Sequence, residues 1–412
     1  MADSYPIKPL QPPTGNDSSS NTASSSYSYP PDSNSIYEGS GKENQIFRCL
    51  MEQGFPRGLA QSLVTFGQQS FPLRIWIVDN SGSMNIPDGR ALVETKRRND
   101  VQWKYCTRWA ELKECVRYHA QLSVLLEAPT RFRLLNGPPR DGFGVAEAGP
   151  DTSPERLEDE LQSVFAILNR TSPQGATPLT RHLNEVHDSL AGAVAESYRA
   201  AGQQVVVVLA TDGLPSDGKG FGGPGPQQEF EYALRRLLRD CPVWLVVRLC
   251  TDDDNVVSYY EGLDTQLELN VEVLDDLVSE AKEVYQHNPW LNYTLPLHRC
   301  REAGFQHRIF DLLDERSLTI DEVIECLRLI FDGGRGWDSV DPHSDWDGFV
   351  DHVRKALVAE ERHYNPVTKR VGPWIDIHKL RVKYGPWYWR YSEQLIVVAL
   401  VAIIGIVLAL LE

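Results

Sequence analysis

The sequence predicts an α/β fold with a doubly wound, mostly parallel sheet flanked by helices, followed by a helical C-terminal region and a C-terminal transmembrane helix. Residues 75–78 and 205–210 are runs of apolar, mostly β-branched residues, as expected of strands covered on both faces. Each run ends abruptly in a polar loop, and segments with helical apolar spacing lie between them. A third apolar run begins at Leu395 and ends at Leu411 without a polar residue, which indicates a membrane span.

The composition is that of a globular protein without a basic face. The chain has 412 residues, of which 42% are hydrophobic and 24% charged, and its formal net charge is −16. Such acidity argues against a general nucleic-acid binder, so no nucleic-acid partner is expected. The seven cysteines are scattered without a Cys-x-x-Cys pair, which favours reduced thiols over a disulfide framework or a zinc site.

Two segments precede the first strand. Residues 1–41 form a Ser- and Pro-rich tail that we predict to be disordered. Residues 42–70 form a helical lead-in with apolar residues at helical spacing. Within it, residues 50–57 are similar to the first helix and loop of ubiquitin-associated domains, which implies a ubiquitin-linked adaptor. That family needs a third helix, and here the chain enters the strand instead, so the alternative is a helical segment that packs on the sheet domain.

The loop after the first strand carries alternating oxygen ligands. Asp79, Ser81 and Ser83 follow one another at every second position, and Gly82 permits a tight turn. Loops at the carboxyl ends of strands bind ligands in open α/β sheets. Hard oxygen ligands suit Mg²⁺ or Mn²⁺. An ordinary polar turn is the alternative interpretation.

Two later stretches complete a known pattern. A Pro- and Gly-containing loop at residues 172–180 includes Thr177, and the strand at 205–210 is followed by Thr-Asp-Gly with Asp212. Asp-x-Ser-Gly-Ser, Gly-x-Thr and strand-Thr-Asp-Gly, in this order, resemble the metal-ion-dependent adhesion site of von Willebrand factor A domains. The resemblance is clear over residues 71 to about 251, and we assign residues 71–316 to such a domain with a Rossmann-like sheet.

The resemblance implies a ligand set and a mode of action. Ser81, Ser83 and Thr177 would offer hydroxyls to Mg²⁺ or Mn²⁺. Asp79 and Asp212 would hold the ion mostly through water. A protein partner would supply the last ligand, often a carboxylate.

An insert that the family usually lacks follows the first metal loop. Residues 85–106 contain two short runs around a turn-like Arg98-Asn99-Asp100, which predicts a β-hairpin. The insert leaves the metal loop and must lie beside it. Lys96, Arg97 and Arg98 would then favour an acidic partner. A solvated loop without such a role is the alternative.

The rest of the domain is predicted from apolar spacing. An acidic run at 251–255 is either a helix-capping loop or a second cation site. The other expected elements are helices at 109–122, 154–168, 179–201, 230–238 and 271–284, strands at 131–135, 142–146 and 243–249, and a long Gly- and Pro-rich loop at 213–228.

The C-terminal part predicts a membrane anchor. Residues 317–384 form a helical region for which no family is apparent. Residues 385–412 combine an aromatic and basic juxtamembrane segment, including Trp387 and Trp389, with the apolar run 395–411. The expectation is a single-pass tail anchor in the endoplasmic reticulum or an organelle outer membrane, with the bulk of the chain in the cytoplasm.

These observations favour a binding protein over an enzyme. We predict a membrane-anchored, cytosol-facing protein that binds a partner through a Mg²⁺-dependent adhesion site. A metal-assisted hydrolase or phosphotransferase is the alternative from another class. Against it, the sequence has no Gly-rich phosphate loop with Lys and no His-Glu-x-x-His motif.

Overall fold

The computed structural model describes residues 41–69, 71–97, 100–139, 142–149, 152–267, 271–331, 337 and 341–386. The strands in this part of the chain are β1 (Leu73–Val78), β2 (Gly89–Glu94), β3 (Val101–Cys106), β4 (Thr130–Leu134), β5 (Phe143–Val145), β6 (Val205–Thr211), β7 (Val243–Leu249), β8 (Val271–Leu274), β9 (His363–Asn365) and β10 (Arg370–Gly372). The helices are α1 (Gly41–Glu52), α2 (Arg57–Gln69), α3 (Arg108–Leu125), α4 (Pro154–Arg170), α5 (Leu179–Leu190), α6 (Ala193–Ala200), α7 (Pro224–Asp240), α8 (Asp254–Leu267), α9 (Leu277–His287), α10 (Leu295–Glu302), α11 (Arg308–Glu315), α12 (Ile320–Phe331), α13 (Trp346–Ala359) and α14 (Ile377–Tyr384).

A six-stranded sheet in the order β5-β4-β1-β6-β7-β8 forms the centre of the fold. All neighbours are parallel except β5, which runs antiparallel to β4 at the edge. Numbered within this sheet alone, the order is 3-2-1-4-5-6, the doubly wound order of Rossmann-like folds. The winding direction reverses between β1 and β6, and the carboxyl ends of these two strands border the crevice where such sheets bind ligands. The predicted α/β class and mostly parallel sheet are confirmed.

The two faces of the sheet are covered by different helices. Alternate side chains of β1 point to opposite faces, as in any strand. Ile75 and Ile77 belong to the core formed with α5, α7 and α8. Trp76 and Val78 belong to the core formed with α3 and α4. Every residue of β1, β6 and β7 is buried, which explains why their sequences lack polar alternation.

A third core joins the lead-in to the C-terminal region. Leu50 of α1 and Leu59 of α2 share it with Leu327 of α12 and Phe349 of α13. The loop between α1 and α2 also faces inward, since Phe55 is only 2% exposed. The described residues of the lead-in (42–69) and of the C-terminal region (317–331, 337 and 341–384) therefore share one core beside the sheet. The C-terminal region is not wholly helical, because β9 and β10 form a short antiparallel hairpin.

The insert forms the expected hairpin. β2 and β3 pair antiparallel from Gly89 opposite Cys106 to Glu94 opposite Val101. The exposed side chains of β3 include Lys104 and Tyr105, the latter 77% exposed. The insert hairpin (β2–β3) is a separate two-stranded sheet, and its Leu92 and Trp103 pack against the third core.

Three predicted element boundaries are wrong. The helix expected at 179–201 is two helices, α5 and α6, separated at Gly192, whose φ of +71° is the left-handed conformation that glycine tolerates. The first part of the helix expected at 271–284 is strand β8, and α9 begins only after Asp276, which accepts hydrogen bonds from two amides of its first turn. The loop expected at 213–228 ends early, because α7 begins at Pro224, a position where a missing N–H has no cost.

Two predictions fall on residues outside the described ranges. The predicted disordered tail at 1–41 is among them, apart from Gly41, and so is the predicted anchor at 395–411. Among the residues that are described, no helix combines the length and apolarity needed to cross a membrane.

Candidate metal centre

The loop after β1 folds back through hydrogen bonds to its own acid. The amide of Asp79 continues the sheet by donating to the carbonyl oxygen of Ala210 at 2.9 Å. The Ser81 amide then donates to Asp79 Oδ1 at 2.7 Å, the local turn that aspartate favours. A single 3-10 turn at Gly82–Asn85 follows. It places the hydroxyl oxygens of Ser81 and Ser83 3.0 Å apart.

The carboxyl end of β6 meets this loop at the point where the winding reverses. Thr211 donates its hydroxyl to Asp79 Oδ2 at 2.6 Å. Ser83 donates its hydroxyl to Asp212 Oδ1 at 2.8 Å. Asp79, Ser81, Ser83 and Asp212, which are spread over more than 130 positions of the sequence, therefore lie in one hydrogen-bonded group.

Thr177 reaches the same edge on the loop before α5. Gly82 donates its amide to the carbonyl oxygen of Gly175 at 3.1 Å, which ties the two loops together. The Thr177 amide donates to Ser216 Oγ at 2.9 Å. The Thr177 Oγ1 atom lies 3.8 Å from the position that a Cβ atom would occupy at Gly213. The structure thus brings all five predicted ligands (Asp79, Ser81, Ser83, Thr177 and Asp212) to one edge, and we call them the candidate metal centre.

A pair of asparagines that the sequence interpretation missed holds these loops in place. Asn80 Nδ2 donates to the carbonyl oxygen of Asn136 at 2.8 Å, and the Asn136 amide donates to Asn80 Oδ1 at 2.8 Å. Asn136 Nδ2 also donates to the carbonyl oxygen of Ala176 at 2.8 Å. A Cβ on Gly175 would stand 2.8 Å from Asn136 Oδ1, and Gly175 has a φ of +80°, so only glycine is accommodated there. The position of Asn136 directly after a strand was the available signal.

The carboxylates of Asp79 and Asp212 are both buried, but their negative charges are not compensated to the same extent. Asp79 has no exposed surface and Asp212 is 3% exposed. Burial and the neighbouring charge of Asp212 raise the pKa of Asp79 to about 6. Its recorded hydrogen-bond donors, Ser81 and Thr211, are neutral. Burial also raises the pKa of Asp212, while hydrogen bonds from Ser83 and Arg108 oppose the shift.

Arg108 is a third residue that the sequence interpretation missed. Its Nη1 donates to Asp212 Oδ2 at 3.0 Å. Its Nε and Nη2 form a fork on Asp88, at 2.7 and 2.6 Å. Arg108 follows the insert in the sequence, and pairing of Gly89 with Cys106 closes the hairpin and brings Asp88 to it. Arg108 compensates the charge of Asp212, whereas no cationic side chain among the described residues is seen to hydrogen-bond Asp79.

The donor set fits a small divalent cation. The oxygens of Ser81, Ser83 and Asp212 are linked by distances of 3.0 and 2.8 Å. Adjacent ligands of octahedral Mg²⁺, at 2.0–2.1 Å from the ion, lie about 2.9 Å apart. All the donors are hard oxygens, which Mg²⁺ and Mn²⁺ prefer. A divalent ion would also supply the positive charge that Asp79 lacks.

The centre is reached from the surface. Ser83 is half-buried, while Gly82, Asn85 and Ile86 beside it are exposed. A ligand from outside the chain therefore has access to an ion held there. Such an arrangement suits binding of a hard anionic ligand from another molecule. In a protein, that ligand is the carboxylate of an acidic side chain.

Two further clusters of potential ligands in the described residues are ion-pair networks instead. Cys115, His119 and Glu302 are close enough to share an ion, but Arg299 Nη1 lies 3.1 Å from Cys115 Sγ and 2.7 Å from Glu302 Oε2. Burial raises the pKa of Cys115 to about 12, so its thiol stays protonated. The Arg299 guanidinium thus binds two of these three potential ligands, whereas Arg108 binds one of the five residues of the candidate metal centre, Asp212. In the second cluster, Glu280, Glu283 and Asp314, Arg301 binds Glu280 at 2.6 Å and Asp314 at 3.0 Å.

The acidic run at 251–255 forms a cap. Asp253 Oδ1 accepts hydrogen bonds from the amides of Asn255 at 2.9 Å and Val256 at 3.3 Å. Asp252 pairs with Arg90 of the insert hairpin at 3.1 Å. The loop therefore caps the start of α8, as the helix-capping interpretation predicted.

No model of a known protein family matches the chain, and no curated protein matches it. The resemblance to von Willebrand factor A domains thus depends on the residues and their geometry alone.

Proposed function

We propose that this chain is a von Willebrand factor A-type binding protein whose candidate metal centre holds Mg²⁺ or Mn²⁺. Through that ion it would bind an acidic side chain of a protein partner. The observation that carries the proposal is the convergence of Ser81, Ser83 and Asp212 at the switch point of the sheet, where Ser83 Oγ lies 3.0 Å from Ser81 Oγ and 2.8 Å from Asp212 Oδ1. Thr177 and Asp79 join them in the order that the family motif has.

Charge supports an acidic partner in spite of the net charge of −16. A bound divalent ion is the largest local charge in such a site and determines which ligands it attracts. The insert hairpin also carries positively charged side chains. Lys96, Arg97 and Lys104 lie in the hairpin, whose root contacts the centre through Asp88 and Arg108.

The partner interaction should depend on the ion. Full-length protein in detergent should retain a partner set in Mg²⁺ that is lost in EDTA and recovered on adding Mg²⁺ back. Ser83→Ala, which removes one hydroxyl ligand without changing charge, should weaken that retention. The measurement is quantitative proteomics of proteins retained from cell extract, followed by a binding titration with each purified candidate.

The matched control is Ser163→Ala, because Ser163 is exposed on α4 and its replacement likewise removes one hydroxyl without changing charge. It should behave as wild type. Identical retained sets in Mg²⁺, in EDTA and with Ser83→Ala would contradict the proposal.

We also propose that residues 395–411 anchor the protein in a membrane, so that the described domain faces the cytoplasm. The run is at the short limit for a spanning helix, which suits the thinner membranes of the endoplasmic reticulum or an organelle outer membrane. Full-length protein should stay in the membrane pellet after alkaline carbonate extraction, and a variant lacking 395–411 should move to the soluble fraction. Extraction of the full-length protein, or pelleting of the shortened one, would contradict the anchor.

A further inference from the structure

Arg108 occupies the junction between the candidate metal centre and the insert hairpin. One of its nitrogens binds Asp212 Oδ2 at 3.0 Å and two bind Asp88 at 2.7 and 2.6 Å. Asp88 directly precedes β2, while Arg108 is the first residue of α3, directly after the hairpin. The guanidinium is thus a bridge from a predicted ion ligand to the hairpin root (residues 86–89 and 106–108).

The root is held closely around this bridge. The Arg108 amide donates to the carbonyl oxygen of Ile86 at 3.1 Å. A Cβ on Gly89 would stand only 2.7 Å from the carbonyl oxygen of Thr107, so the two strands leave no room between them. Arg108 is 9% exposed. A displacement of the Arg108 guanidinium must therefore also displace residues of the hairpin root.

We propose that Arg108 couples occupancy of the candidate metal centre to the conformation of the hairpin root. The proposal rests on the proposed function, because it requires a divalent ion at the centre. That ion and the guanidinium are both cations that interact with the Asp212 carboxylate. Ion binding weakens the bond from Arg108 to Asp212 by repulsion and competition, and the fork on Asp88 shifts with it.

The coupling is reciprocal by thermodynamic linkage. A partner that engages the hairpin and draws Asp88 and Arg108 away from Asp212 raises the affinity for the ion. The rest of the hairpin keeps its own ties, since the Arg90 amide donates to Glu111 at 2.8 Å and the Arg90 side chain pairs with Asp252 at 3.1 Å. The response should therefore be confined to the root and should not reach the hairpin tip.

Hydrogen exchange and calorimetry on the full-length protein test this coupling, with Mg²⁺ alone as the probe. In wild type, saturating Mg²⁺ should accelerate amide exchange in the root several-fold and leave the tip unchanged. Asp88→Asn removes the charged half of the fork but keeps the Arg108 charge. Its root should exchange fast without Mg²⁺, and Mg²⁺ should change that rate little although the ion still binds.

Removing the competing cation should strengthen ion binding. Arg108→Gln is expected to lower the Kd for Mg²⁺ by about tenfold, because a unit charge beside a dication is removed. Arg117→Gln is the matched control, since Arg117 lies on the same helix and pairs with Glu114 and Asn169 instead of the centre. Its Kd should equal that of wild type.

The outcomes separate the two proposals. If wild type binds Mg²⁺ without any change in root exchange, or if Asp88→Asn responds as wild type does, the coupling is wrong and the ion site stands. If wild type does not bind Mg²⁺, the coupling and the proposed function are both overturned. The Asp88→Asn arm keeps the test decisive even if Arg108→Gln does not fold.

Discussion

Replacing Asp79 by alanine is expected to abolish Mg²⁺ binding while the protein stays folded. Asp79 lies at the centre of the switch point, and its carboxylate accepts hydrogen bonds from Ser81 and Thr211. Without it, the loop loses the negative charge that attracts a dication and the acceptor that orders Ser81. Isothermal calorimetry with Mg²⁺ should show binding for wild type and none for Asp79→Ala.

The fold should survive because the wild-type carboxylate is not a stabilising charge in the absence of metal. Its pKa is raised to about 6 by burial and by Asp212, so the native state binds a proton more readily than the unfolded chain. Stability from this group is present at pH below about 4 and is lost as pH rises through about 6. At pH 7.5 without Mg²⁺, loss of this charge should offset part of the cost of leaving Ser81 and Thr211 without their acceptor, so Asp79→Ala should lower the urea midpoint without unfolding the protein.

The same titration predicts how the ion responds to pH. Protons compete with Mg²⁺ for Asp79, so the wild-type affinity should fall as pH is lowered through about 6. Two results would contradict the role of Asp79. Unfolding of Asp79→Ala at ordinary temperature would mean that the residue is structural, and Mg²⁺ binding equal to wild type would mean that it is not needed for the ion.

Replacing Glu302 by alanine should cause the largest loss of stability. Glu302 is 1% exposed and accepts from Arg299 at 2.7 Å, from Arg248 at 3.4 Å and from Cys115 at 3.4 Å. His119 Nε2 lies 3.1 Å from Glu302 Oε2, the oxygen that also accepts from Arg299. Truncation leaves buried guanidinium groups without their shared carboxylate, and breaking a buried pair in this way costs about 3–5 kcal/mol.

Urea unfolding measures this loss directly. Glu229→Ala is the control, because Glu229 is exposed on α7, and such surface changes stay within about 0.5 kcal/mol. Glu302→Gln, which keeps the shape but removes the charge, should fall between the two. If Glu302→Ala costs less than about 1 kcal/mol, the network that joins α3, β7 and α10 does not hold them together.

The sequence predicted the sheet and the candidate metal centre because both follow from local patterns. Strands buried on both faces have continuous apolar runs, and the carboxyl ends of parallel strands share one edge. Asp79 and Asp212 each follow such a run directly, so their proximity needed only the pairing of β1 with β6. Thr177 was placed by the family motif.

Other features depend on tertiary packing and could not be predicted in this way. β8 is short, and its Val271 and Leu274 have the three-residue spacing that Leu277 of α9 continues, so strand and helix were merged in spite of the Asp275-Asp276 pair between them. Arg108 lies 104 positions from Asp212, and its contact exists only once the insert hairpin has closed. The third core joins α1 and α2 to α12 across more than 200 residues, and apolar periodicity does not indicate which elements share a core.

The most direct test of the metal centre is a crystal of the protein grown with Mn²⁺ and measured at an anomalous wavelength for manganese. The account predicts a single strong anomalous peak in contact with the hydroxyl oxygens of Ser81 and Ser83, next to Thr177 and between Asp79 and Asp212. Density free of anomalous signal at this position under saturating Mn²⁺, or a peak at Cys115, His119 and Glu302 instead, would contradict it.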